Sequence, residues 1–493
     1  MGGEPALQRV ELVEDDALAR SVVPAGHLDE NPGGEARRRR RAHLLVALVG
    51  VVGVLVFALV GVQAVLDSAY REKVAARAAL PGAIDAVASQ PQVRWVTDAA
   101  LMDSLLLDAP VDGAYVGARS LRDGTVEAVA LDAATGVARW MTSLRGRPDE
   151  DAAVALWGNA CTTSVLPDER DVLVCVLGFH ARGLHEAAGA SRAEVVALDA
   201  RTGALLARRD TPAQAGRVVV VQDLAVVAWR VLGRVHVHAQ DLLTGSTAWD
   251  ASFPVPRTGT LQLGSLSAPP RIARVQLVAG PDVVAVGAGQ QVYLLDVHGE
   301  LRPGGRVDGY VRQARSDRIV LLTVDHGAGT ILLRPGLDDL ELRGVVAMPT
   351  LDDGSLSDVV LTVDDGLRGL DPDSGRPLWA VEGRDSGTVV LDGVVYQGGD
   401  SAQVRAVDGR TGTVLWSVPP PQSAYVTDLF TDGEHLYVAL HGLLGADKTW
   451  LAYDLDGRPQ GVLEPPPGWR SLEIRGRALV ATSADGTRAA VLG

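Results

Sequence analysis

Gln403–Trp416, QVRAVDGRTGTVLW, is the stretch whose reading decides the fold. Val404 and Ala406 lie in a short β-prone run, Asp408 ends it, Thr411-Gly412 turns the chain, and Val414-Leu415-Trp416 starts a second run. Two such runs joined by a tight turn read as a hairpin. Asp suits the corner because its short carboxylate accepts hydrogen bonds from backbone N–H groups just ahead of it, and Gly suits the turn because it takes positive φ without a Cβ clash. The Trp supplies a large apolar surface to pack on a neighbouring unit.

Weaker copies recur along the chain. VEAVALDAATGVARW places Asp132, Gly136 and Trp140 in the same relative positions; EVVALDARTGALLAR keeps Asp199 and Gly203 but has a smaller residue where the Trp would be; VHVHAQDLLTGSTAW carries Asp241, Gly245 and Trp249. YLLDVHGELRP retains Asp296 and Gly299, and TILLRPGLDDLELR keeps a strand pair without the turn. RGLDPDSGRPLW restores Asp371, Gly375 and Trp379, and LAYDLDGRPQGV, read around Asp456-Gly457, is the last copy. The corners recur at roughly 36 to 75 residues, most near 40, which in an all-β chain predicts a propeller of four-stranded blades that bury their faces on one another. Apolar runs before the hairpins, at 171–178, 225–232, 282–289 and 435–440, are expected to supply the inner strands. The final strand pair at 478–493 and the isolated Val93-Arg94-Trp95-Val96 are expected to share a closing blade, giving eight blades, with seven as the runner-up count.

Strands ending in A-L-D-x-x-T-G-x-x-x-W resemble the repeat of pyrroloquinoline-quinone-type β-propellers over residues 92–493, with Trp140, Trp249, Trp379 and Trp416 in the repeat Trp position. The same repeat occurs in quinoprotein dehydrogenases and in non-enzymatic scaffolds such as the propeller lipoprotein of the outer-membrane barrel assembly machinery. The enzymes of that family imply an adjacent cysteine pair beside the quinone, a Glu-Asn-Asp set for calcium and an Asp base. This chain has no adjacent cysteines and no evident calcium cage. Asp132, Asp199, Asp241, Asp371 and Asp408 therefore read as corner caps rather than bases.

The remaining sequence bounds location. Residues 1–41 form an acidic tail, expected to be disordered, that ends in Arg37 to Arg41. Residues 42–66 read as one transmembrane helix, because Leu44 to Val62 is entirely apolar or Gly and, at about 1.5 Å per residue, roughly spans a bilayer core. The basic run puts the tail in the cytoplasm and the propeller outside; a signal peptide cut near Val62-Gln63-Ala64 is the rival reading. Residues 67–91 read as a juxtamembrane spacer with a short helix broken near Pro81-Gly82. The net charge of -15 disfavours nucleic acid as a partner. Low Lys beside abundant Arg, Ala, Val and Gly suggests a high-GC bacterial source, with an actinobacterial cell surface as the expectation.

Cys161 and Cys175 flank CTTSVLPDERDVLVC, whose Pro167-Asp168 corner would return one strand alongside the other; outside the membrane such a pair is expected to form a disulfide, the alternative being two buried thiols. His236 and His238 alternate on one strand and share a face, with no third ligand in view, and His180 and His185 lie in an Ala- and Gly-rich insertion. No hydrolase elbow, phosphate loop or zinc-protease motif is present. The expectation is a non-catalytic extracytoplasmic propeller that binds an envelope protein or ligand and needs no cofactor. The alternative is a quinone-dependent oxidoreductase using pyrroloquinoline quinone with calcium.

Overall fold

The computed structural model describes residues 59–121, 123–145, 152–155, 161–181, 192–212, 217–231, 233–255, 275–280, 283–288, 291–314, 318–323, 329–332, 340–383, 385–399, 403–419, 424–442 and 448–493. Two compact units divide the chain, Met1–Arg71 and Glu72–Gly493. A helix covers 59–78 and a short one Ala99–Ser104, where the Asp98 carboxylate accepts from the Leu101 N–H at 2.7 Å. Among the described residues no helix is long and apolar enough to cross a membrane. Of the run Leu44–Val62 only residues 59–62 are described, and the rest of it, like the tail 1–41, lies outside the described residues.

Among the described residues of the second unit strands predominate, and they form eight sheets. The sheet of Leu105–Val111, Ala114–Ser120, Val126–Asp132 and Ala138–Arg145 shows the rule: neighbours in sequence are antiparallel neighbours in the sheet. Middle strands are apolar on both faces, as in Val283–Ala288, where every residue is buried, whereas fourth strands such as Val414–Val418 are half exposed. Both faces of a middle strand are covered because the sheets stack. One cluster joins Val116, Ala128 and Ala130 to Leu173, Cys175 and Val196 of the next sheet, and another joins Val226 and Val237 to Val284, Val286 and Tyr293. The core is thus a series of sheet-to-sheet interfaces, which is consistent with a β-propeller.

Three details differ from the expectation or extend it. The apolar runs expected as inner strands are second strands: Asp171–Ala181, Leu224–Val231, Val283–Ala288 and His435–Gly442 each sit between two neighbours, because a first strand precedes each. One sheet has seven strands, since Leu301–Ala314 pairs first with Gln291–Asp296 and then with Arg318–Thr323. Counted as hydrogen-bonded sheets the number is eight; with the seven-stranded sheet divided at this shared strand, it is nine. Leu351–Asp352 adds in parallel to Asp385–Leu391, alongside an otherwise serial sheet.

The ends of the second unit meet. Val93–Asp98 pairs antiparallel with Arg488–Leu492, Trp95 lies opposite Val491, and Gln92 and Gly493 exchange backbone hydrogen bonds at 3.0 Å. This outermost strand completes the sheet whose other members are Trp469–Arg475, Ala478–Ser483 and Arg488–Leu492.

Candidate functional site

In a serial antiparallel sheet the first-to-second and third-to-fourth connections lie at the same end of the strands. At that end the repeat residues converge. The Asp408 carboxylate accepts from the N–H groups of Arg410 at 3.1 Å and Thr411 at 2.8 Å and from the Thr411 hydroxyl at 2.9 Å. Asp132, Asp199 and Asp241 hold Thr135, Thr202 and Thr244 in the same three-bond pattern, and Asp371 does so with Ser374. The hydroxyl and backbone hydrogen bonds from Thr411 hold the Asp408 carboxyl below its ordinary range. For Asp132 the Arg139 guanidinium leads, with Thr135, and the value falls to about 2. A carboxylate held ionised by turn donors is a poor proton acceptor, so these groups are caps. In the last copy the cap is Asp454, which receives the N–H groups of Asp456 and Arg458; Asp456, the residue singled out in the sequence, lies within the turn.

The tryptophans reach the next sheet. Trp140 donates its indole N–H to the Ala200 carbonyl at 3.2 Å, Trp249 to Val297 at 2.8 Å, Trp379 to Gly409 at 2.9 Å and Trp416 to Leu455 at 3.0 Å. Each acceptor directly follows a corner Asp, and each ring lies over the turn glycine of that corner. A Cβ on Gly203 or Gly299 would stand 2.5 Å from the ring, and one on Gly412 or Gly457 2.7 Å from the tryptophan. Gly412, at φ +74, meets both demands of the site: a left-handed turn and a flat neighbour. Trp95 makes the same contact, donating to the Ala133 carbonyl at 3.0 Å over Gly136. Sequence reading missed it because no Asp-Thr-Gly turn precedes it; the strand beside it, Arg488–Leu492, comes far later in the sequence. At Gly245 the place of the ring is taken by Arg209, whose guanidinium donates to the Leu243 carbonyl at 2.7 Å.

Cys161 and Cys175 are register partners on adjacent strands and are joined, S–S 2.13 Å and Cα–Cα 4.0 Å. His238 is buried, with Nδ1 2.7 Å from Asp250 and Nε2 3.1 Å from Gln240, and His236 stacks on Trp229 at 5.5 Å between ring centroids. His180 lies on the strand Asp171–Ala181, and His185 lies outside the described residues. Among the described residues no three His, Cys, Asp or Glu side chains form a metal-holding group. Cys161 and Cys175 are cross-strand partners rather than neighbours in sequence, and the described corner carboxylates accept from turn N–H and hydroxyl groups.

The turn end also carries a segment that the sequence presents as a spacer. After the helix over 59–78, residues 78–87 run across first-to-second turns of successive sheets. Lys73 and Arg77 both meet the Asp392 carboxylate, Lys73 at 2.6 Å, and Arg77 also donates to the Gly433 carbonyl at 3.1 Å. Burial raises the Asp392 pKa, but the two cations outweigh it and hold the group ionised. Arg477 donates to the carbonyls of Ala78 at 2.6 Å and Leu80 at 3.2 Å and pairs with Asp85. The Ile84 N–H reaches Thr431 O at 2.9 Å, the Asp85 N–H reaches Arg477 O at 2.8 Å, and Ala83 and Ile84 are fully buried. Beneath them Tyr115, near Asp85, is pushed up to about 12 by burial and then by that carboxylate.

The family model described as outer membrane protein assembly factor BamB matches residues 92–331 and 363–491, well over half of the chain. No curated protein matches. Among solved structures, BamB from Moraxella catarrhalis is 18% identical, covering 82% of this chain and 99% of its own, with a TM-score of 0.39. The computationally designed Ika8 protein is 15% identical over 79% of this chain and 96% of its own, at a TM-score of 0.36. The C-terminal WD40 domain of Sif2 is 12% identical over 82% and 98%, at 0.40. The matched stretches contain the corner aspartates and tryptophans whose geometry is given above, and by that match the chain belongs to the family of the outer membrane protein assembly factor BamB.

Proposed function

We propose that this chain is a non-catalytic propeller that binds or scaffolds a protein of the cell envelope. The observation that carries this is the commitment of the repeat side chains: each corner carboxylate is consumed by the turn behind it, and each repeat tryptophan by the turn of the next sheet. What varies between repeats is then the connections, and loops on a rigid scaffold are where propellers place recognition. The family match supports a protein partner, since the member after which it is described is an assembly factor.

The location belongs to the same proposal. The run Leu44 to Val62 behind Arg37 to Arg41 anchors the chain by one helix, tail inside and propeller outside, and the cross-strand Cys161–Cys175 bridge suits an oxidising compartment. No quinone or calcium is required in this reading. The test is titration of the purified full chain with pyrroloquinoline quinone and calcium, read by absorbance and thermal shift, beside photocrosslinking from the third-to-fourth turns and from the opposite strand ends in cells. Discrete crosslinked protein adducts without saturable quinone binding are expected. Saturable quinone binding with dye reduction would establish the oxidoreductase instead.

A further inference from the structure

Glu72 to Asp98 does two things the repeat itself does not require. Its first part crosses turns of successive sheets, and its last part is the outer strand of the sheet that joins the two ends of the unit. We propose that these parts are one arm that docks and detaches as a unit, with the contact of Lys73 and Arg77 on Asp392 as the latch at its leading end.

The coupling is visible in shared neighbours. Ile84 packs in one cluster with Leu479, Ala481, Ala490 and Leu492. Ala490 and Leu492 are register partners of Val96 and Val93 in the closing strand. Removing Ile84 therefore opens a void against the strand that receives Val93–Asp98. Arg477 makes the second link. Its side chain holds the Ala78 and Leu80 carbonyls, its own carbonyl accepts from Asp85, and it sits between Trp469–Arg475 and Ala478–Ser483 of the closing sheet. The arm is pinned at its far end by Trp95 over Gly136. The crossing part and the closing strand hold to the same sheet, the first through Arg477 and the Ile84 cluster and the second through its ladder to Arg488–Leu492, with Gln92 and Gly493 exchanging backbone hydrogen bonds between them.

The test is hydrogen exchange measured by mass spectrometry on the full chain. Asp392→Ala is expected to accelerate exchange about tenfold in 83–87 and, by a similar factor, in 93–98 and 488–492, with 224–231 unchanged, as sub-global opening of one cooperative unit requires. Trp95→Ala, at the other end, is expected to accelerate 83–87 as well. Lys73→Ala removes one latch cation from an exposed position and keeps the test available if Asp392→Ala does not fold; a two- to threefold rise in the same segments is expected, by the same reasoning. Acceleration confined to 72–87 in the latch variants, or to 93–98 and 488–492 in Trp95→Ala, would overturn the single arm and leave two independent attachments.

Discussion

Two junctions between neighbouring sheets, one at Trp416 and one at Arg209, solve the same problem with different side chains. At the first an indole lies over Gly457 and donates to the carbonyl after Asp454; at the second the Arg209 stem lies against Gly245, with Cδ nearest, and its guanidinium donates to Leu243. The glycine is the fixed partner and the tryptophan is not. What the two junctions share is a side chain laid on a turn that has no Cβ in the way, with an N–H that reaches the backbone of that turn. Arg meets it because its methylene stem packs on the turn while its fork donates beyond it, although it buries far less apolar area than an indole.

That comparison can be broken most severely at Trp379, which is buried over Gly412. Trp379→Ala is expected to cost about 3–5 kcal/mol, read by chemical denaturation of the full chain. Next come the glycines. Gly412→Ala combines φ +74 with a Cβ 2.7 Å from that of Trp379 and is expected to cost about 2–3 kcal/mol, whereas Gly245→Ala, at φ +75, meets the movable Arg209 chain and should cost about 1–2 kcal/mol. Equal losses at the two positions would mean that backbone strain alone decides. Arg209→Ala should cost about 1 kcal/mol, and Arg209→Lys should recover only part of it, since a single ammonium cannot reproduce the fork that donates to both Arg208 and Leu243. The smallest effect is in acid. The Asp132 carboxyl is lowered in the folded chain to about 2, so its contribution is complete above its unfolded value near 4 and is lost as pH falls through about 2. Asp132→Asn should flatten the acid limb of stability between those values by lowering stability above pH ~4 to the level the parent chain reaches in acid, measured as midpoint against pH.

The corner chemistry was legible in the sequence because it is local: Asp408, Thr411 and Gly412 complete their turn within five residues. Trp140, Trp249, Trp379 and Trp416 could be read because they stand at a constant distance after a corner. Trp95 could not, since no such corner precedes it. Arg209 escaped because its resemblance to tryptophan lies only in its reach and its donor, and it stands two positions later than the expected place. The arm was the least legible part. Its partners Asp392, Gly433 and Arg477 lie more than 300 residues away, and its buried residues, Ala83 and Ile84, form no periodic pattern of their own.

The pairing of Val93–Asp98 with Arg488–Leu492 also sets a timetable for biosynthesis. The closing strand leaves the ribosome about 390 residues before its partner does, a wait on the order of tens of seconds at ~5–20 residues per second. Throughout that interval Trp95 has its turn at Gly136 available but no strand beside it. Any chain that offers a matching edge in that time competes with Arg488–Leu492, so five residues made long afterwards decide whether Val93–Asp98 ends up in its own molecule.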